Sequence, residues 1–142
     1  MERTDHALGF PAVLSGLTKG AEYPEQKFQA IFDEMYPANA HVYKIIVIVD
    51  NKLNKIVGSG SVIMEQKFAR NTGVCGHIED IVVDKGQRGR RLGLRIIDCL
   101  TKIAYCNPRC YKIILDCAEH NVKFYNKCGY KTKEIQMVQY KD

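Results

Sequence analysis

His77–Asp98, which reads HIEDIVVDKGQRGRRLGLRIID, decides the fold. It begins with β-branched and apolar residues, which predict a strand, and it ends with apolar residues at helical spacing, which predict a helix opening near Leu92. Between them lies a basic, glycine-containing loop from Lys85 to Arg91. Loop N–H groups and the positive end of a following helix both attract anions. The stretch therefore predicts an anion-binding site at the start of the helix.

The loop has the spacing of neither of two common phosphate-binding patterns. A P-loop requires G-x-x-x-x-G-K-S/T and a dinucleotide fingerprint requires G-x-G-x-x-G, and both are absent. Arg88-Gly89-Arg90-Arg91-Leu92-Gly93 instead resembles R/Q-x-x-G-x-G/A, the pyrophosphate loop of GNAT acetyltransferases. Arg91 departs from that pattern, which usually has glycine there. An ordinary solvated turn is the alternative interpretation.

Composition limits the class of protein. A chain of 142 residues with 46% hydrophobic and 26% charged residues predicts a single domain, residues 1–142, with its own core. No apolar run is long enough to span a membrane, and no N-terminal signal pattern is present, so we expect a cytoplasmic protein without membrane contact. The net charge of +5 suits a small anionic ligand, and its concentration in one loop argues against nucleic-acid binding.

The cysteines predict neither disulfides nor a metal site. None of the six forms a C-x-x-C pair, and several lie inside apolar patterns where a free thiol behaves as a small hydrophobe. We therefore expect buried free thiols and no bound metal.

The remaining elements follow from periodicity and turn residues. In chain order they are a helix at 5–17 capped by Asp5, a helix beginning at Pro24, strands at 41–49 and 56–64, a strand at 111–117, a short helix from Asn121 to Gly129 and a final strand at 130–140. Gly58 and Gly60 inside the second strand predict a bulge or a close backbone approach. The order predicts an α/β (α+β) fold with a central mixed sheet flanked by helices.

A second signature lies in the C-terminal half. NVKFYNKCGY (residues 121–130), GHIEDIVV (76–83) and CYKIILDC (110–117) together closely resemble the glucosamine-6-phosphate N-acetyltransferase family of the GNAT superfamily. The similarity runs from about Asp5 to about Met137. It implies the GNAT acyl-CoA N-acyltransferase fold and acetyl transfer from acetyl-CoA to the amine of glucosamine 6-phosphate, without an acyl-enzyme and on the route to UDP-N-acetylglucosamine.

The resemblance also implies the acetyl-CoA contacts. The loop N–H groups would hold the pyrophosphate, and the edge of the central strand would pair with the pantetheine amides. The residues concerned are Ile81, Val82, Val83, Arg88, Gly89, Arg90, Arg91, Leu92, Gly93, Leu94, Asn121 and Tyr125.

Three residues are candidates for the chemistry. Tyr125 can donate a hydrogen bond to the departing thiolate, the alternative being that it only packs on its helix. Glu79 and Asp116 interrupt apolar strands, where a carboxylate is costly unless it is paired. Either of these carboxylates, Asp80 or a water molecule between them could accept the proton of the amine, with Asp116 or Glu79 favoured, and a structural salt bridge is the alternative. His77 is expected to pack or bind locally.

The resemblance implies a sugar-phosphate site as well. Its residues would be Thr18, Lys67, Arg70, Glu79, Asp80, Ile81 and Asp116, with the two basic side chains on the phosphate. The family often has an arginine near the chain end that helps to grip the phosphate, whereas Tyr140 stands there. Members are homodimers whose sugar site draws on both subunits, so we expect a homodimer.

Two other activities stay open at this point. A GNAT enzyme that acetylates a peptide, a lysine or a polyamine would share the acetyl-CoA half but would not need Lys67 and Arg70. A catalytically silent CoA-binding module would share the loop but would not need Tyr125 and Asp116.

Overall fold

The computed structural model describes residues 1–19 and 22–141. The helices are α1 (Phe10–Leu14), α2 (Glu25–Met35), α3 (Ala69–Thr72), α4 (Leu92–Tyr105) and α5 (Val122–Lys127). The strands are β1 (Tyr43–Asp50), β2 (Lys55–Gln66), β3 (Val74–Val83) and β4 (Cys110–Ile114). They form one four-stranded sheet in the order β1-β2-β3-β4, in which only the β3/β4 pair is parallel. The predicted mixed sheet with flanking helices is confirmed.

Each face of the sheet carries its own apolar cluster. On one face, α4 packs Ile96, Ile97 and Leu100 against β2 and β3, as expected for residues at helical spacing. On the other face, α1 and α2 supply Phe10 and Phe28 to a second cluster. The sheet is therefore covered on both sides, and β3 lies in its interior between β2 and β4.

A bulge interrupts the pairing of β2 with β3. Ser59 pairs with Val82 and Ser61 pairs with Glu79, so β3 has one extra residue at this point. Asp80 absorbs it with a left-handed backbone, φ 54°. A Cβ atom on Gly60 would lie 2.5 Å from Cδ1 of Ile81, so any larger residue opposite the bulge would require neighbouring side chains to move. The close approach predicted at Gly60 is confirmed, whereas the extra residue of this bulge lies on β3 and not on the strand that carries the glycines.

Several predicted elements differ from the observed ones. The first helix is confined to α1, and its N-cap is Gly9; the Asp5 carboxylate instead accepts a hydrogen bond from the N–H of Glu2 at 2.7 Å. Strand β4 ends at Ile114, three residues before the predicted end at Cys117, because its ladder with β3 ends there. α4, the bulged hairpin and the short helix α5, with Gly129 at positive φ after it, are confirmed.

The predicted final strand at 130–140 is wrong. Residues 130–141 have no regular secondary structure, and apolar side chains of this segment lie in solvent: Ile135 is 90% exposed and Met137 is 89% exposed. A strand is stabilised by pairing with a neighbour, and the described residues of this chain offer this segment none. Its alternating apolar pattern thus lacks the partner that would make it a strand.

The cysteine prediction is only partly right. All six thiols are free, but Cys75 alone is buried, and Cys99, Cys106 and Cys117 are exposed. The exposed ones lie on the outer face of α4, at its C-terminal end and just beyond β4. Among the described residues, no helix has the length and hydropathy that crossing a bilayer requires.

Candidate active site

The sheet opens between β3 and β4. The two strands pair only from Val74 to His77 on β3, and β4 then ends. In the described part of the chain, Ile78–Val83 of β3 therefore has a strand partner on one side only. Unpaired N–H and C=O groups on such an edge can bind the amides of an extended ligand. Ile81, Val82 and Val83, which were predicted to do so, lie on this edge.

The predicted anion-binding loop is formed at the start of α4. Its first N–H groups, on Leu92, Gly93 and Leu94, lie in the turn where a helix has no internal acceptors, and no side chain caps them. Because the helix is 14 residues long, its dipole adds positive potential there. Arg88, Gly89 and Arg90 precede this turn and are exposed.

The backbone of the loop explains both its glycines and its one departure from the pattern. Gly89 has φ 83° and Arg91, the N-cap of α4, has φ 58°, and both angles lie in the left-handed region that favours glycine. Arg91 therefore holds a glycine conformation with a side chain attached. A Cβ on Gly93 would lie 3.1 Å from Cζ of Phe124, so that position lets α5 pack closely on α4.

Two ion pairs secure the loop. Asp84 accepts a hydrogen bond from the N–H of Gly86 at 2.8 Å and pairs with Lys55, also at 2.8 Å. Both contacts hold the pKa of the Asp84 carboxyl below its usual value, the Lys55 contact more strongly. The Arg90 guanidinium donates to the side chain of Gln87 and lies 3.6 Å from Asp50. Arg90 is thus partly engaged within the protein.

Glu79, Asp116 and Tyr125 come together where the sheet opens. Burial raises the pKa of Glu79, and the nearby carboxylates of Asp116 and then Asp80 raise it further. Burial likewise raises the pKa of Tyr125 to about 12, with smaller contributions from Cys117, Cys128, Asp116 and Glu79. The three predicted catalytic residues therefore share one electrostatic environment, although they come from β3, the loop after β4 and α5.

This group combines a carboxyl that gains a proton easily with a phenol that keeps one. A carboxylate whose pKa is raised is a stronger base than an ordinary carboxylate and can take part in proton transfer. A phenol with a pKa of about 12 stays protonated and can donate a hydrogen bond to a nearby anion. Tyr125 is half-buried and is held edge-on between Phe124, at 5.0 Å between ring centroids, and Tyr130, at 6.5 Å.

Asp80 faces a separate cavity. The bulge places it beside Ser59, Gly60 and Ser61 in a cavity of about 270 Å³ between the sheet and helices α1 and α2. The other walls are mainly apolar, and Ile31 on α2 lines this cavity without being buried in the core. Strict alternation along a strand would place Glu79 and Asp80 on opposite faces of the sheet. The bulge interrupts that alternation: Glu79 pairs with Ser61, which also lines this cavity, so both carboxylates belong to the same face.

The predicted phosphate-binding residues are dispersed. The Lys67 ammonium lies 2.5 Å from the Glu65 carboxylate, which raises the pKa of that amine. The Arg70 guanidinium lies over the ring of Tyr111, 5.9 Å from its centroid. The Thr18 hydroxyl is exposed and donates to the carbonyl of Lys19 at 3.2 Å. Asn121, which was predicted to contact acetyl-CoA, is exposed at the start of α5, and its side chain makes no capping hydrogen bond to that helix.

A row of polar side chains links Lys67 to Glu79. The other carboxylate oxygen of Glu65 lies 2.7 Å from Nε2 of His77, in line with the local role predicted for His77. Cys75, His77 and Glu79 alternate along β3 and therefore share one face of the sheet, about 7 Å apart in turn. The row carries the Lys67 ammonium at one end and the Glu79 carboxyl at the other.

Comparison with known proteins identifies the family. The model of the acetyltransferase (GNAT) family matches residues 14–130. Glucosamine 6-phosphate N-acetyltransferase 1 of Dictyostelium discoideum is 48% identical over 133 residues, which cover 94% of this chain and 83% of that protein. The chain belongs to the glucosamine 6-phosphate N-acetyltransferase family. The Arabidopsis thaliana relative of the same name is 41% identical and is covered to 94% of its length.

The fold supports the same family. The crystal structure of glucosamine-6-phosphate N-acetyltransferase from Arabidopsis thaliana superposes with a TM-score of 0.95 at 39% identity, and covers 100% of this chain and 95% of that one. The sequence of this glucosamine 6-phosphate N-acetyltransferase family member did not predict a role for Glu65 or Tyr111. The alternation of Cys75, His77 and Glu79 on β3 was a signal for the polar row, but Glu65 joins it only through strand register.

Proposed function

We propose that this chain transfers the acetyl group of acetyl-CoA to the amine of glucosamine 6-phosphate, giving N-acetylglucosamine 6-phosphate and CoA. Its family membership supports this activity, because relatives that this chain matches over most of their length are named glucosamine 6-phosphate N-acetyltransferases. The structural observation that carries the proposal is the grouping of Glu79, Asp116 and Tyr125 beside an open strand edge and an uncapped helix start.

Acetyl-CoA, the acetyl donor of GNAT acetyltransferases, fits the open half of the site. The N–H groups of Leu92, Gly93 and Leu94 would bind its pyrophosphate, with Arg88 to Arg91 adding positive charge. The edge at Ile81–Val83 would pair with the pantetheine amides, and Asn121 would bind farther along the ligand. An uncapped helix start and an unpaired strand edge supply the donors and acceptors that such a molecule requires.

The reaction needs an unprotonated amine, a stabilised oxyanion and a stabilised thiolate. Glu79 is the favoured proton acceptor because burial and Asp116 raise its pKa toward that of a useful base. Asp116 would orient the ammonium beside it. The amine then attacks the thioester carbonyl, which forms the C–N bond and the oxyanion, and collapse of the oxyanion breaks the C–S bond without an acyl-enzyme. The second proton of the nitrogen ends on the sulfur, giving the amide and CoA. Tyr125 donates a hydrogen bond to the departing sulfur, which its high pKa permits at neutral pH.

The acceptor would lie along the polar row. Lys67 and Arg70, with Thr18, would bind the phosphate, and Asp80 and Ile81 would contact the sugar. Lys67 is already paired with Glu65, so its ammonium would turn from a carboxylate toward the phosphate dianion when the substrate binds.

We also propose a homodimer of single-domain chains. The exposed apolar side chains of the C-terminal segment, including Ile135 and Met137, need a covering surface that the described residues of one chain do not provide. A second copy would cover them and add to the sugar site. A cytoplasmic location and a role in UDP-N-acetylglucosamine synthesis stay predictions.

The test is thiol release from acetyl-CoA with three acceptors: glucosamine 6-phosphate, glucosamine and a mixed peptide pool. We expect turnover with the phosphosugar, and much weaker turnover with glucosamine because the phosphate contacts are lost. Release with peptides alone would overturn the acceptor. Acetyl-CoA binding without release for any acceptor would indicate a silent module.

A further inference from the structure

Three metal-ligating side chains meet on the sheet face that carries the polar row. Glu65 on β2 pairs in register with Cys75 on β3, and His77 lies two residues farther along β3 on the same face. The carboxylate oxygen, the thiol sulfur and the imidazole nitrogen lie within 4.8 Å of one another. The register of two strands, and not a local sequence motif, brings them together.

We propose that Glu65, Cys75 and His77 form a binding site for one Zn²⁺ ion, with a fourth coordination position left open. Sulfur, nitrogen and oxygen donors together suit zinc, whereas magnesium and calcium prefer oxygen alone. Zinc bonds of about 2.0–2.3 Å place tetrahedral donors roughly 3.3–3.8 Å apart. Donors already within 4.8 Å reach that spacing by small side-chain rotations.

The surroundings of the cluster determine how tightly it binds. Cys75 is buried, which raises the pKa of its thiol, while the Lys112 and Lys67 cations lower that pKa. The same two lysine cations repel a bound metal ion. A site of moderate affinity follows, weaker than a structural zinc site with four protein ligands.

Occupation of this site changes the catalytic face. Zinc bound to Glu65 removes the carboxylate that now pairs with Lys67 at 2.5 Å. The freed Lys67 ammonium and the added positive charge both attract a phosphate dianion, so a lowered KM for the phosphosugar in the presence of zinc follows if the proposed function holds; binding of zinc itself does not depend on that function.

The decisive experiment measures binding directly. Cys99→Ser, Cys106→Ser and Cys117→Ser are introduced first, because exposed thiols bind zinc nonspecifically. Zinc is then titrated against a chromogenic chelator, and Co²⁺ is added to a parallel sample to record thiolate-to-cobalt absorption. We expect one equivalent of zinc per chain and a cobalt spectrum with that absorption.

Matched variants then assign the ligands. Cys75→Ala should abolish the thiolate-to-cobalt absorption, and His77→Gln should weaken zinc binding by at least about tenfold. His120→Gln, a histidine exposed away from the cluster, should change neither. Binding of less than one zinc ion per chain would overturn the proposal. An unchanged zinc affinity in His77→Gln would also overturn it, because this variant keeps a polar side chain at a half-exposed position.

The kinetic arm separates the two proposals. Zinc binding with a lowered KM for glucosamine 6-phosphate supports both of them. Zinc binding in a chain that shows no turnover with the phosphosugar would count against the proposed function and leave the metal site standing.

Discussion

Gly60→Ala is expected to destabilise the protein because the space beside Gly60 is already filled. An added Cβ would lie 2.5 Å from Cδ1 of Ile81, 2.7 Å from Cγ2 of Ile96 and 3.1 Å from Cδ1 of Leu100. Carbon atoms in contact normally lie about 3.5–4.0 Å apart, so at least two side chains must move. Overpacking of this kind costs about 1–3 kcal/mol of unfolding free energy.

One favourable effect opposes that cost. Replacing glycine by alanine restricts the unfolded chain and stabilises by about 0.4–1 kcal/mol where the native backbone tolerates it. Gly60 does not have a positive φ, so this gain applies. The net expectation is a loss of about 1–2 kcal/mol, read as a lower urea midpoint at an unchanged m-value.

Gly58→Ala is the matched control on the same strand. Its Cβ would meet Cδ1 of Ile96 at 3.2 Å and the carbonyl oxygen of Val82 at 3.3 Å, which is tight but not overlapping. Its loss should therefore be clearly smaller than that of Gly60→Ala. Equal stability of Gly60→Ala and the unchanged protein, or equal losses in the two variants, would refute the packing argument. Because Ile81 must move, Gly60→Ala should also raise the KM for acetyl-CoA.

The other predictions concern the catalytic group, the phosphate contacts and the loop. Tyr125→Phe should lower kcat by roughly 10²-fold with little change in acetyl-CoA affinity, measured by steady-state kinetics and direct binding. The raised pKa of Glu79 means that its basic form is lost as pH falls through that pKa, so activity should fall on the acid side, and Glu79→Gln should lower kcat and remove that limb of the pH profile. Lys67→Ala with Arg70→Ala should raise the KM for the phosphosugar far more than that for acetyl-CoA. Arg91→Gly should raise the unfolding free energy by about 1 kcal/mol in urea, because it relieves a left-handed backbone at φ 58°.

Each of these has a contradicting result. An unchanged rate in Tyr125→Phe would remove the phenol from the mechanism, and an acid limb that persists in Glu79→Gln would assign the proton acceptor to another group such as Asp116. Equal effects of the lysine and arginine changes on both substrates would exclude a phosphate role. A loss of stability in Arg91→Gly would mean that the arginine side chain stabilises the loop by more than its backbone strain costs.

Only some of the site could be predicted from the sequence, because some of its residues are contiguous in the chain and others come together only through the fold. The anion-binding loop and the start of α4 are contiguous in sequence, and the turn residues and helical spacing determine them locally. Gly58 and Gly60 likewise signalled the irregularity in β2, although not that Asp80 on the partner strand would absorb the extra residue. Asp116 was placed inside a strand, whereas β4 ends at Ile114 because its pairing with β3 ends.

The strand predicted at residues 130–140 was wrong for a related reason. Its alternating apolar residues favour a strand, but a strand becomes stable only when another backbone pairs with it, and the described part of the chain provides none there. Exposure of the cysteines was missed because helix α4 buries only one of its faces, and Cys99 lies on the other.

Periodicity, turn chemistry and motifs act within short stretches, so the fold class, the loop proposed to bind an anion and the residue types available for acetyl transfer could all be read from the sequence. Only the tertiary structure decided which side chains share an environment. Glu79, Asp116 and Tyr125 meet because β3 and β4 part beside α5, and Glu65 reaches Cys75 and His77 through strand register. Electrostatic coupling acts over a few ångströms in space, so residues far apart in sequence acquire it only when the chain has folded.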